Sequence, residues 1–336
     1  MLDEARSTPE RVGHQLGRDE GLYQALGARL RERPPRGALT VARGSSDHAA
    51  AFFSYLSAVR GGHLVTSLPM SLITLHRAPL RGQELLTVAV SQSGGSPDLR
   101  ASLQLFGEQG GLTVAAVNDT ASPLAQTAQW VLPLHAQVED SVAATKSFIC
   151  SLTALARLAG QWCNDGELLA SLTAIPACLQ AACAEDWSAA IGSLVGAERI
   201  LVIGRGTGMA VALEAALKFK ETCGIQAEAF TSAEVRHGPM ALVNRGYPVL
   251  VFAPRGPAQA DLLSLAYELR QRAACVLLAA PADVRERELT LVTTGLPELD
   301  PLAAIQSFYL MVEMLARARK CDPDRPRHLQ KITATL

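Results

Sequence analysis

Leu39-Thr-Val-Ala-Arg-Gly-Ser-Ser-Asp-His-Ala49 and Leu201-Val-Ile-Gly-Arg-Gly-Thr-Gly-Met-Ala210 decide the fold. Each opens as an apolar, β-prone run, turns at a glycine behind an arginine, and continues as a helical pattern. Arg43-Gly44 and Arg205-Gly206 hold the same place in the two copies. Around the first copy, apolar runs at 38–42, 85–90, 112–117 and 130–134 alternate with helical patterns. One helix covers 48–60 and closes at Gly61-Gly62; another begins at Pro97, with Ser96 as its expected cap. Around the second copy the runs are 199–203, 248–252 and 274–278. Strand–loop–helix–strand order implies parallel pairing with right-handed crossovers. The expectation is therefore an α/β protein of two similar parallel-sheet units joined by a helical stretch over 145–195. Residues 1–37 read as helical up to Pro34-Pro35, and 320–327, with two prolines, read as extended.

The 336 residues are 49% hydrophobic and 19% charged, which suits two domains with substantial cores. A formal net charge of −1 argues against a general nucleic-acid binder. The apolar runs are broken short of the ~18 residues a membrane span needs, so no membrane association is expected. The charged N-terminal stretch does not read as a signal peptide, and the expected compartment is the cytoplasm. Cys150, Cys163, Cys178, Cys183, Cys223, Cys275 and Cys321 form no CxxC pair, which predicts reduced thiols and no metal site. No cofactor is expected.

Open parallel sheets bind ligands at the carboxyl ends of their strands. Two Ser/Gly-rich loops fall there: Gly44-Ser45-Ser46 and Ser91-Gln92-Ser93-Gly94-Gly95-Ser96. Glycines let the backbone approach a ligand, and hydroxyls with free N–H groups at a helix start surround an anion. Neither loop carries the lysine of a triphosphate-binding loop, and Gly204-Arg-Gly-Thr-Gly208 lacks dinucleotide spacing. Each loop alone reads equally as a helix cap and turn. The pair, after neighbouring strands, points to a phosphate monoester.

The stretch 207–223 reads as a helix stopped by Gly224. Met209, Leu213, Ala216 and Leu217 are its expected apolar face; Glu214, Lys218 and Glu221 share a second stripe. Two readings stand: a solvated face with ion pairs, or a carboxylate kept in the last turn for proton transfer. His237, before Gly238-Pro239, sits on a turn where functional groups are displayed. Lys331, in the tail, reads by itself as a solvated lysine.

The chain resembles the double-SIS (sugar isomerase) proteins over nearly its whole length. Ala42-Arg-Gly-Ser-Ser-Asp-His-Ala49, Ser91-Gln-Ser-Gly-Gly-Ser-Pro-Asp98, Ser141-Val-Ala-Ala-Thr-Lys-Ser147, Ala215-Ala-Leu-Lys-Phe-Lys-Glu221 with 227–230 and 234–239, and the segment 322–331 carry the likeness. It is strongest to the isomerase half of glutamine–fructose-6-phosphate aminotransferase and to SIS-type glucosamine-6-phosphate deaminase. The resemblance implies two tandem SIS units, each a parallel sheet flanked by helices in a flavodoxin-like, three-layer arrangement. The implied division is a helical segment 1–30, a first unit 31–165, a second unit 166–320, and a tail 321–336 entering the site.

It also implies roles. Gly44, Ser45, Ser46, Ser91, Gln92, Ser93 and Ser96 would hold the sugar 6-phosphate, and Val142 and Ala143 would meet the sugar through backbone. Glu221 would move a proton between C1 and C2, with Lys218 beside it. His237 would assist ring opening from the other subunit of a homodimer. Lys331 would engage the open-chain sugar in Schiff-base chemistry. The aminotransferase begins with a glutaminase domain whose nucleophilic cysteine follows Met1; here residue 2 is Leu. The expected reaction is therefore glucosamine 6-phosphate to fructose 6-phosphate plus ammonia. A fructosamine-6-phosphate deglycase, a galactosamine-6-phosphate deaminase and a non-catalytic sugar-phosphate sensor remain the alternatives.

Overall fold

The computed structural model describes residues 1–331; residues 332–336 of the expected tail lie outside them. The first sheet contains β1 (Gly37–Val41), β2 (Val65–Ser67), β3 (Leu85–Ser91), β4 (Leu112–Val117) and β5 (Trp130–Pro133). The second contains β6 (Arg199–Gly204), β7 (Gln226–Thr231), β8 (Pro248–Phe252), β9 (Cys275–Pro281) and β10 (Leu289–Leu291). All pairings are parallel, with orders β2-β1-β3-β4-β5 and β10-β9-β8-β6-β7. Read from β7, the second order repeats the first, so the two copies seen in the sequence are two copies of one topology. In each sheet the winding direction reverses between the first and third strands, and ligands bind in the crevice such a switch opens. In the first sheet that crevice lies beyond β1 and β3, whose register runs from Gly37↔Leu85 to Val41↔Ala89.

The inner strands were legible because a parallel sheet covered on both faces is apolar throughout; β3 is buried at every residue but Leu85. Strands β2, β7 and β10 were not expected. They are edge strands: β2 and β10 have three residues each, and β7 carries Gln226 and Glu228, so none presents a long apolar run.

The chain divides into two compact units. One comprises Glu10–Glu139, Lys146–Thr173 and, of the tail, Gln330 and Lys331; the other comprises Met1–Pro9, Asp140–Thr145 and Ala174–Leu329. In the first, Val41, Ala89, Leu99, Leu103, Ala115 and Val117 form a core cluster. The helix Lys146–Cys163 is almost wholly buried there. Its Arg157 is tolerated inside because it meets Glu20 at 2.5 Å and the Arg18 carbonyl at 2.6 Å, and lies over the Tyr23 ring. In the second, Phe219 packs edge-on against Phe308 of the helix Asp300–Ala318. With up to two charges allowed per window, Pro297–Ala318 is long and apolar enough to cross a membrane, but 89% of its 18-residue apolar window is buried in the protein. It is a core helix.

Candidate functional site

The first unit builds a cavity from local turns. Gly44 stands at φ 54°, ψ −132°, backbone that suits glycine, and the helix Ser45–Gly61 starts behind it. At the end of β3, Ser91 Oγ accepts the Gly94 N–H at 3.0 Å and Ser93 Oγ accepts the Gly95 N–H at 3.3 Å. Gly94 has φ 62°, and a Cβ there would collide with Ser122 Oγ. Ser96 takes the N-cap position of the helix Pro97–Glu108, but its hydroxyl makes no capping bond, which corrects the expectation of a side-chain cap.

Gly44, Ser46, Ser91, Gln92, Ser93 and Ser96 line one cavity of about 220 Å³ together with Arg43 and Lys331. Ser45 is half-buried and does not line it. A neighbouring cavity of about 610 Å³ shares Gln92, Ser93 and Lys331 and adds His14, His135 and Glu139.

Lys331 is not a solvated lysine. Its Nζ lies 3.3 Å from Glu139 Oε2, and the Glu139 side chain is fully buried. Glu139 also accepts the Ser147 N–H at 3.0 Å and the Ser147 hydroxyl at 2.5 Å. Ser147 lies in the first turn of the helix Lys146–Cys163, where backbone N–H groups and the helix dipole favour a carboxylate.

In the second unit, the helix Gly208–Cys223 ends at Gly224 with φ 63°, as expected. Of the expected apolar face, Ala216 alone is fully buried. Met209, Leu213 and Leu217 are only half-buried, whereas Glu214 and Lys218 are wholly buried. Lys218 Nζ stands 3.3 Å from Glu214 Oε1 and bonds to Glu221, whose side chain is 20% exposed. Tyr309 donates its hydroxyl to Glu214 Oε1 at 3.0 Å. Burial works against the Lys218 ammonium, but the Glu214 and Glu221 carboxylates outweigh it and hold its pKa above the ordinary value. The stripe is an internal carboxylate–ammonium–carboxylate row and not a solvated face.

His237 is exposed at the C-terminal end of the helix Ser232–Arg236, its N–H donating to the Glu234 carbonyl at 2.9 Å. The Val142 N–H donates to the Asp324 carbonyl at 3.1 Å. The Ala143 carbonyl accepts from Ser141 at 3.0 Å and Thr145 at 3.1 Å. Glu4 shapes this loop, accepting N–H groups from Asp140 at 2.6 Å and Ser141 at 3.0 Å as well as the Ser141 hydroxyl. Burial raises the Glu4 pKa, but the Ser141 hydrogen bonds outweigh it and leave the carboxyl below its usual range.

Arg43, Asp98, Glu139, Glu4 and Tyr309 were absent from the sequence-derived site. Arg43 binds Asp98 through Nε at 3.0 Å and Nη2 at 2.7 Å, joining the two Ser/Gly loops. The one sequence signal was the arginine repeated ahead of both glycine turns. The second unit repeats the pairing: Arg205 lies 2.6 Å from Asp261.

Residues 34–159 and 193–292 match the family model described as SIS domain. The chain is 34% identical over 273 residues to a glutamine–fructose-6-phosphate aminotransferase (isomerizing) of Zymomonas mobilis, covering 76% of this chain and 45% of that one. It is 35% identical over 315 residues to its counterpart in Aeropyrum pernix, covering 87% and 50%. The chain thus spans about half the length of the curated relatives it matches. Among solved structures, a candidate phosphosugar isomerase from Silicibacter pomeroyi superposes with a TM-score of 0.91 at 42% identity, covering 96% of this chain and 99% of that one. Glucosamine-6-phosphate deaminase from Thermotoga maritima shares the fold, with a TM-score of 0.79 at 20% identity and 99% of each chain covered.

Proposed function

The chain belongs to the SIS domain family, and from that premise we propose that it converts glucosamine 6-phosphate to fructose 6-phosphate and ammonia. The observation that carries this reading is the cavity in which two Ser/Gly loops and Lys331 meet. A phosphate held by hydroxyl and N–H donors at a helix start, beside the Arg43 and Lys331 side chains, suits an open-chain phosphosugar. Glu221 takes the proton from C2 of the open-chain amino sugar and returns it to C1. The C2–H bond breaks, a C1–H bond forms, and the C2 amine becomes an imine. Water then adds to C2, the C–N bond breaks, and ammonia leaves. Lys218, kept protonated between two carboxylates, holds Glu221 in place and supplies positive charge near the developing enolamine. Val142 and Ala143 meet the sugar hydroxyls through backbone, and Lys331 engages the open-chain carbonyl.

The proposal includes a cytoplasmic homodimer. The exposed His237 serves the partner's site in ring opening. The test is to incubate the protein with glucosamine 6-phosphate and follow ammonia and fructose 6-phosphate together. Equimolar release is expected. Binding without turnover, or ammonia released only from galactosamine or fructosamine 6-phosphate, overturns the assignment.

A further inference from the structure

We propose that Arg43 is a specificity-determining residue of the phosphate cavity, selecting the dianionic phosphoryl group over the monoanion. This rests on the reading of the cavity as a phosphomonoester site. The two loops otherwise offer hydroxyls, an amide side chain and backbone N–H groups, and the cavity's other cation, Lys331, is paired with the buried Glu139. The neutral donors bind either ionisation state, whereas a guanidinium gains with each added negative charge.

The geometry fixes that guanidinium. Its Nε and Nη2 both bond to Asp98 Oδ2, at 3.0 and 2.7 Å. Asp98 Oδ1 accepts the Leu99 N–H at 2.9 Å, and the Asp98 side chain is wholly buried. Arg43 lines the cavity and Asp98 does not. A ligand therefore meets the guanidinium before the carboxylate behind it. Two of the five N–H donors are used on Asp98, and the side chain remains 54% exposed. The clamp spans from the loop after β1 to the helix after β3, so it also sets the spacing of the two loops.

The second unit isolates what is particular to the first. There Arg205 bonds to Asp261 at 2.6 Å and to Ser232 at 3.2 Å, and Asp261 also receives Arg236 at 2.9 Å. The loop after β8 reads Pro254-Arg255-Gly256, with no serine, where the first unit has Ser91 to Ser96. An arginine–aspartate strut therefore belongs to the repeated topology. Among the described residues, the strut of the first unit forms the wall of a Ser/Gly cavity.

The test is fructose 6-phosphate binding to the full chain by calorimetry between pH 5 and pH 7.5, an interval that spans the second phosphate ionisation near pH 6. Sulfate, a dianion throughout, is the control. It corrects for titration of the protein groups around Arg43: Asp47 and His48 on the helix Ser45–Gly61, Asp98 on Pro97–Glu108, Lys331 with Glu139, and His14 and His135 beside the second cavity. Wild type should gain about tenfold in affinity across the interval after this correction. Arg43→Met should bind more weakly than wild type already at pH 5 and lose most of the gain. Arg43→Lys, the variant to use if R43M does not fold, should keep most of the gain with weaker binding throughout. Retention of the full gain by R43M, or its loss in R43K, overturns the role of Arg43. Wild type that binds without any gain also overturns it while leaving the phosphate reading standing. Wild type that binds no fructose 6-phosphate at any pH removes both.

Discussion

Replacing Lys218 by Met should cost the protein several kcal/mol of stability. The ammonium is wholly buried, with a wholly buried carboxylate, Glu214, at 3.3 Å and the less buried Glu221 on its other side. The substitution leaves Glu214 inside with the Tyr309 hydroxyl as a remaining donor. Removing one partner of a buried ion pair typically costs about 3–5 kcal/mol, because the charge left behind is uncompensated. Urea denaturation of wild type and K218M at pH 7.5 measures the loss. Adding Glu214→Gln to K218M removes the stranded charge and should recover a large part of it. In wild type the folded pKa of Lys218 is raised, so its stabilisation is complete below the ordinary lysine value of 10.5 and is lost as pH climbs through the higher folded value. K218M should lack that alkaline loss. A K218M variant within about 1 kcal/mol of wild type, or a double variant no better than the single, would refute the internal charge row.

Gly94→Ala should destabilise by about 1–3 kcal/mol and weaken fructose 6-phosphate binding, since it combines an unfavourable φ with a collision at Ser122; an unchanged melting temperature sinks the claim. Glu221→Gln should fold normally and lose ammonia release by about 10²–10⁴-fold. Mixing and reassociating it with His237→Ala should restore part of the activity if each site draws its histidine from the other subunit, and no recovery argues against the shared site. Glu4→Gln should cost about 1–3 kcal/mol at pH 7 by urea denaturation. Because the folded Glu4 pKa is lowered, this contribution is present above the ordinary value of 4.5 and disappears as pH falls through the folded value, so the two proteins should converge in acid.

Much of the fold was legible because its signals are local. A central parallel strand must be apolar on both faces, so β1, β3, β4, β6, β8 and β9 stand out as uninterrupted runs. The edges β2, β7 and β10 do not, being short or polar. The phosphate loops were legible for the same reason: Ser91, Ser93 and Gly94 are neighbours in the chain, and their turn follows from their own residue types. The helix Gly208–Cys223 shows the limit. Its periodicity separated two stripes, yet polarity did not show that Glu214 and Lys218 are more deeply buried than Met209, Leu213 and Leu217. Pairing with Tyr309, far along the chain, makes burial of Glu214 and Lys218 tolerable.

Residue order by itself determined two tandem α/β units, their strand-to-helix turns and the serines of the first. Tertiary structure alone decided that Lys331 meets Glu139, that Arg43 meets Asp98, and that a row of charges lies inside. Strand and turn propensities act over a few residues. A buried charge is settled by whichever distant partner the folded chain brings within hydrogen-bonding distance.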